Sequence, residues 1–357
     1  MLQVTKTYLP SKKRFLRYID SIWENHILAN SGPLATRLEE DLKTYTGCKQ
    51  LLVCTNGTLV LQIALKALKI SGEVITTPFS YVATTNAILW ENCQPVFADI
   101  REDDFTIDVA SIEKLITQKT KAILATHVYG HPCQVAAIAK IARKHKLLVI
   151  YDAAHAFGVT HKGKSLLSYG DIATCSFHAT KLFHSAEGGA IVVNNKAYVE
   201  SVSLMRSFGH IHDAYHCVGI NARISELNAA MGLAVLPDMP QIISKRKAVS
   251  LQYDRQLKKN PYIRICDKRA AGYNYGYYPV VFDSAARLEQ AMKLLAAKDI
   301  FPRRYFYPSL NTLPFLKKRT SCPVSESIAA RVLCLPVSHY IKAGEIKSIC
   351  TILNSIK

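Results

Sequence analysis

Cys175-Ser176-Phe177-His178-Ala179-Thr180-Lys181, with Glu187-Gly188-Gly189 after it and Tyr151-Asp152 before it, puts a lysine on the turn that follows an apolar strand and an aspartate at the end of an earlier strand. Pyridoxal phosphate (PLP) chemistry needs such a pair. The amine condenses with the cofactor's aldehyde, and the carboxylate keeps the pyridinium nitrogen protonated so that the ring can withdraw electrons. Taken alone, Lys181 reads as a surface lysine beside a structural aspartate, so the rest of the chain has to decide.

Outward from this stretch, apolar strands alternate with helix-patterned runs. Strands are expected at 50–53, 73–76, 95–99, 121–126 and 147–151 and on both sides of Lys181, with helices at 59–68, 81–90 and 135–145. That alternation implies an α/β fold, a mostly parallel sheet covered by helices. A helical stretch at 226–236 is interrupted by Pro237-Asp238-Met239-Pro240. Paired prolines predict the end of a regular element there, and with it the boundary between a large domain, 1–236, and a smaller one, 237–357. A strand at 278–282 and a helix at 288–297 give the second part an α+β character.

The chain has 357 residues and 49% hydrophobic content, enough to bury two cores. It contains no apolar run of about 18 residues, and Met1-Leu2-Gln3-Val4-Thr5-Lys6 lacks the apolar core of a signal peptide. A soluble, cytoplasmic protein is expected. The ten cysteines are scattered through apolar runs and never fall at CxxC spacing, which predicts buried thiols and neither a disulfide framework nor a zinc site. His210, His212 and His216 lie close in sequence but lack an acidic or cysteine companion, so no metal is expected. The formal charge of +18 raises nucleic-acid binding as a rival. The basic residues are spread along the chain without a nucleic-acid motif, and a basic rim equally steers a nucleotide diphosphate.

Tyr151-Asp152-Ala153-Ala154-His155-Ala156-Phe157-Gly158, Tyr169-Gly170-Asp171, Ser176 to Lys181 and Glu187-Gly188-Gly189 together resemble the DegT/DnrJ/EryC1/StrS family of PLP-dependent sugar aminotransferases, whose pattern is EDAAHAxG…GD…SFHxxK…EGG. The resemblance extends from Ser31-Gly32-Pro33 to Leu333-Cys334-Leu335-Pro336. It implies the aspartate aminotransferase fold, fold type I, with a seven-stranded, mostly parallel sheet between helices and a smaller C-terminal α+β domain. Tyr151 stands where relatives usually carry glutamate, a change expected to affect packing, because the following aspartate has the cofactor role.

The resemblance also implies roles. Gly57 and Thr58 match the phosphate-binding turn, although a glycine-threonine pair there also serves simply to start a helix. Tyr81 matches the aromatic that stacks on the pyridine ring, Ser176 a phosphate-binding hydroxyl, and His155 the residue that reaches the phenolic oxygen. Asn221, in Gly219-Ile220-Asn221-Ala222-Arg223, matches an asparagine that crosses to the neighbouring subunit's phosphate, which implies a homodimer with shared sites. Arg303, Arg304, Tyr305 and Tyr307 are candidates for the sugar nucleotide, as bidentate forks for a diphosphate and aromatic faces for a base.

The implied reaction is a ping-pong transamination with glutamate as donor, in which Lys181 is both covalent anchor and proton carrier. Ser176-Phe177-His178 resembles the enzymes that aminate sugar C4, in particular those acting on TDP-4-keto-6-deoxyglucose. C3 amination and UDP- or GDP-linked sugars stay open, as does a non-catalytic sugar-nucleotide binding protein on the same fold. The family's products point to lipopolysaccharide O-antigen or related glycoconjugates.

Overall fold

Seven strands make the central sheet of the computed structural model, which describes residues 1–266 and 272–356. They are β1 (Leu51–Cys54), β2 (Glu73–Thr76), β3 (Gln94–Phe97), β4 (Thr120–Thr126), β5 (Leu148–Asp152), β6 (Ile172–Ser176) and β7 (Gly189–Val193). Across the sheet the order is β1-β7-β6-β5-β4-β2-β3. β7 alone is reversed, antiparallel to both β1 and β6, while the other pairings are parallel.

The strands are apolar on both faces because helices cover both. Ile123 and Ala125 of β4 enter one core, with Val149 and Tyr151 of β5, while Ala122 and Leu124 enter the other, with Ile150. Successive side chains along a strand point to opposite faces, so each strand feeds two cores at once. The helix Val135–His145 closes one face with Val135, Ile138, Ile141 and Ala142, and carries Arg143, Lys144 and His145 in its last turn, where the helix dipole favours cations.

The prolines at 237 and 240 do not end regular structure. The helix Glu226–Val235 passes through a 3-10 turn, Leu236–Asp238, straight into the 19-residue helix Met239–Leu257. Each proline sits in the first turn of its segment, where its missing N–H has no intrahelical partner to lose. The long helix joins two cores. Met239 and Ile242 pack against the central sheet, while Val249, Tyr253 and Leu257 pack with a three-stranded sheet, Ile263–Ile265, Pro279–Phe282 and Val332–Cys334. The N-terminus lies on this second side as well: Leu2–Gln3 pairs in parallel with Ile300–Phe301. An aromatic core that includes Phe79, Phe105, Tyr129 and Phe306 fills the space between.

The loops after β1, β2, β4, β5 and β6 and the start of β7 meet at one edge of the sheet. This is the carboxyl edge of the parallel strands, where α/β sheets open a crevice.

Candidate active site

A cavity of about 710 Å³ lies at that edge. Gly57, Thr58, Tyr81, Asp152, His155, Ser176 and Lys181 all line it, so residues that are far apart in the sequence share one chamber.

After β1 the chain turns through Asn56, whose side-chain oxygen accepts from the N–H groups of Thr58 at 3.0 Å and Leu59 at 2.9 Å and so starts the helix Gly57–Ala67. Gly57 faces the end of β6. A Cβ there would come within 2.6 Å of the Ser176 Cβ and 2.8 Å of its hydroxyl, so only glycine leaves this space open. That close approach sets the helix N-terminus, the threonine and the serine hydroxyl side by side at the cavity wall, a donor set that suits a phosphate dianion.

Asp152 is the last residue of β5 and is buried. Its Oδ1 accepts from the Ala154 N–H at 3.1 Å and its Oδ2 from the Thr84 hydroxyl at 2.7 Å. The hydroxyls of Thr84 and Ser80 are 2.7 Å apart, and those of Ser80 and Thr126 are 3.0 Å apart. Because Thr84 donates to the carboxylate, it accepts from Ser80, and Ser80 from Thr126. The relay has one direction and ends on Asp152.

Lys181 follows a tight turn closed by its own N–H to the His178 carbonyl at 2.8 Å. Loss of solvent brings its amine down to about 8, against the opposing pull of Asp152 and, more weakly, of Cys175. The neutral amine, which is the nucleophilic form, is therefore far more populated near neutral pH than that of an ordinary lysine. Burial pushes the His155 imidazole well below its ordinary value, and the Lys181 charge adds to this. Its Nδ1 accepts the Tyr129 N–H at 3.1 Å, which leaves the proton on Nε2. Tyr277 packs 4.2 Å from the His155 ring, centroid to centroid, and Phe306 5.4 Å. Tyr81 ends the loop before the helix Val82–Trp90 and leaves 61% of its surface exposed, an aromatic face open to the cavity. An aldehyde-bearing, phosphorylated pyridine fits this donor set: an anion cradle, a nucleophilic amine, a carboxylate and an aromatic face.

The substrate candidates divide. Arg303 and Tyr305 line the cavity. Arg304 points away: its Nη2 donates to the carbonyls of Ala329 at 3.1 Å and Ala330 at 3.2 Å, and its guanidinium covers the Tyr307 ring. Tyr307 is 56% exposed and is not among the cavity residues. Asn221 is also apart from the cluster. It is exposed, bridges Ser207 and borders a smaller cavity of about 340 Å³ with Thr55, Arg223 and Asn228. Glu187 borders both cavities and meets His178 Nε2 at 3.3 Å. His210 belongs to a small hairpin, where its Nδ1 bonds the His212 carbonyl at 2.8 Å.

Sequence reasoning missed the hydroxyls of Ser80, Thr84 and Thr126, and the rings of Tyr277 and Phe306. Ser80 and Thr84, one helical turn apart at the start of a helix, carried a faint signal. Tyr277 and Phe306 carried none, because they reach the site from the far end of the chain.

Residues 10–354 match the DegT/DnrJ/EryC1/StrS aminotransferase family. The chain is 38% identical over 361 residues to a dTDP-4-amino-4,6-dideoxy-D-glucose transaminase of Shigella dysenteriae, covering 99% of this chain and 98% of that protein. It is 40% identical over 348 residues to one of Escherichia coli, covering 94% and 93%. Among solved structures, that of DesI in the presence of its TDP-sugar product superposes with a TM-score of 0.94 at 31% identity, covering 99% of this chain and 92% of that one. With a family match over nearly its full length and relatives at this level of identity, the chain belongs to the DegT/DnrJ/EryC1/StrS aminotransferase family.

Proposed function

We propose that this protein is a PLP-dependent nucleotide-sugar aminotransferase that moves the amino group of glutamate to C4 of TDP-4-keto-6-deoxyglucose, giving the 4-amino-4,6-dideoxy sugar. The observation that carries the reading is the Lys181 amine, brought down to about 8 in the same chamber as the buried Asp152. A non-catalytic binding module has no use for a desolvated amine, which costs stability. The preference for C4 and for TDP rests on the transaminases of Shigella dysenteriae and Escherichia coli.

PLP, when bound, supplies an aldehyde for amine capture and a ring that draws off electrons. The start of the helix at Gly57 and Thr58, with Ser176, would hold its phosphate, and Asp152 would hold the pyridinium proton. Tyr81 and His155 would fix the ring plane. Lys181 would anchor the cofactor and would serve as the base and acid that moves the proton at the reacting carbon. Arg303 and Tyr305 would receive the nucleotide sugar. Asn221 is offered to a second copy of the chain, in a homodimer whose sites each use two chains. The product would serve glycoconjugate assembly such as O-antigen.

The deciding experiment incubates PLP-loaded protein with glutamate and a panel of TDP-, UDP- and GDP-linked 3- and 4-keto sugars, with products read by mass and NMR. Nitrogen at C4 of the TDP sugar is expected. Amination at C3, or preference for another nucleotide, redirects the substrate assignment, and no amination of any sugar removes the enzymatic reading.

A further inference from the structure

Ping-pong transfer brings two anions to one cavity in turn, the carboxylates of the donor and the diphosphate of the acceptor, while the cradle at Gly57 belongs to the cofactor throughout. Lys181 and Arg303 are the lysine and the arginine among the cavity residues, and Lys181 is committed to the cofactor. Arg303 has a fixed backbone. Its N–H donates to the Cys334 carbonyl at 3.2 Å, and its own carbonyl accepts the Cys334 N–H at 2.8 Å. Its guanidinium lies 5.8 Å from the Tyr305 ring and makes no hydrogen bond or ion pair with any of the described residues. A positioned fork with all its donors unspent is suited to a planar or tetrahedral oxyanion.

The N-terminus supplies a second donor beside it. Leu2 lies opposite Ile300 and Gln3 opposite Phe301. The pairing ends there, and two residues further along each segment Thr5 and Arg303 both line the cavity. Val4, between the paired strand and Thr5, is buried and accepts the Val337 N–H at 3.0 Å, so the backbone is pinned just before Thr5. The Thr5 hydroxyl, like the Arg303 guanidinium, has no hydrogen-bond partner among the described residues.

We propose that Thr5 and Arg303 form one oxyanion subsite, built by the pairing of the N-terminal strand with Ile300–Phe301, that takes either a carboxylate of the amino donor or the diphosphate of the sugar nucleotide. The inference rests on the amino-transfer reading for the identity of its ligands. A hydroxyl joins the guanidinium there for a physical reason: two donors from separate backbones fix the orientation of an oxyanion, which a single flexible arginine does not.

Three variants test it: Thr5→Val removes the hydroxyl at constant shape, Thr5→Ser keeps it, and Arg303→Lys keeps the charge but loses the fork. Each PLP-loaded variant is titrated calorimetrically with glutarate and with thymidine diphosphate, two probes that bind without turnover. Thr5→Val and Arg303→Lys are expected to weaken the same probe by about tenfold or more, with Thr5→Ser close to wild type. The KM for the matching substrate should rise in parallel. Loss of glutarate affinity assigns the subsite to the donor, and loss of thymidine diphosphate affinity assigns it to the acceptor. Unchanged binding of both probes by Thr5→Val, or equal weakening by Thr5→Val and Thr5→Ser, overturns the proposal. Failure of wild-type protein to aminate any keto sugar tells against the amino-transfer reading alone, because the titrations do not depend on turnover.

Discussion

Lys181→Met should make the cofactor-free protein more stable at neutral pH while abolishing its chemistry. The drop of the Lys181 amine from the ordinary 10.5 to about 8, at about 1.4 kcal/mol per tenfold, corresponds to about 3 kcal/mol spent on holding an ammonium out of water. The attraction of Asp152 is already contained in that value, since it opposes the drop. Between pH 8 and 10.5 the unfolded chain still binds this proton while the folded protein has released it, so this group makes stability rise with pH across that window. Methionine keeps the length of the side chain without the charge. At pH 7 the gain should be about 2 to 3 kcal/mol, and it should shrink toward nothing as the pH passes 10.5. Urea unfolding of both cofactor-free proteins, at one fixed protein concentration and at pH 7, 9 and 10.5, measures this directly. Equal stability at pH 7, or a gain undiminished at pH 10.5, refutes desolvation as the cause of the low value.

Borohydride reduction of PLP-loaded protein should fix the cofactor on the peptide containing Lys181, and label on another lysine rules out the assignment. Lys181→Ala should lose turnover by at least the roughly 10² to 10⁴ of general base catalysis, and retention of more than about a tenth of wild-type turnover contradicts the dual role. Gly57→Ala forces a methyl group to within 2.6 Å of the Ser176 Cβ. It should cost about 1 to 3 kcal/mol of stability and weaken PLP binding in a fluorescence titration, where unchanged affinity argues against the phosphate cradle. Co-expressed, differently tagged Lys181→Ala and Asn221→Ala chains should form heterodimers with one undamaged site and regain activity, and no recovery in purified heterodimers excludes a shared site.

Legibility followed locality. The strand at 73–76 and the helix at 135–145 lie where the sequence puts them, because abrupt changes from apolar to polar residues mark their ends. The same changes mark the catalytic positions. Asp152 ends β5, and Lys181 follows the end of β6 by one tight turn, so motif and architecture coincide at the carboxyl edge of the sheet. Prolines 237 and 240 misled for a local reason too: in sequence a proline that starts a helix looks like one that ends it, and only the continuation through Met239–Leu257 tells them apart. Arg303 and Arg304 pose a related difficulty, since two adjacent arginines are alike until the backbone turns one toward the cavity and the other toward Ala329.

What lies beneath the site was out of reach for a different reason. Ser80 and Thr84 come from the turn into the helix Val82–Trp90, Thr126 from the end of β4, and Asp152 from the end of β5, and they meet only because β4 and β5 are neighbours in the sheet. Hydroxyls have no periodicity to reveal such a meeting. Their consequence is nonetheless specific. Thr84 spends its proton on Asp152, so each hydroxyl behind it must turn toward the carboxylate, and no donor is left over at the carboxylate end of the relay. Asp152 Oδ2 is thereby held by Thr84 and Oδ1 by the Ala154 N–H, which fixes the plane of the carboxylate before any ligand arrives. A pyridinium N–H entering the cavity would meet an acceptor already oriented, with no side-chain entropy left to lose on binding, which is how a layer of hydroxyls invisible to motif reading contributes to the chemistry of the two residues that the motif does reveal.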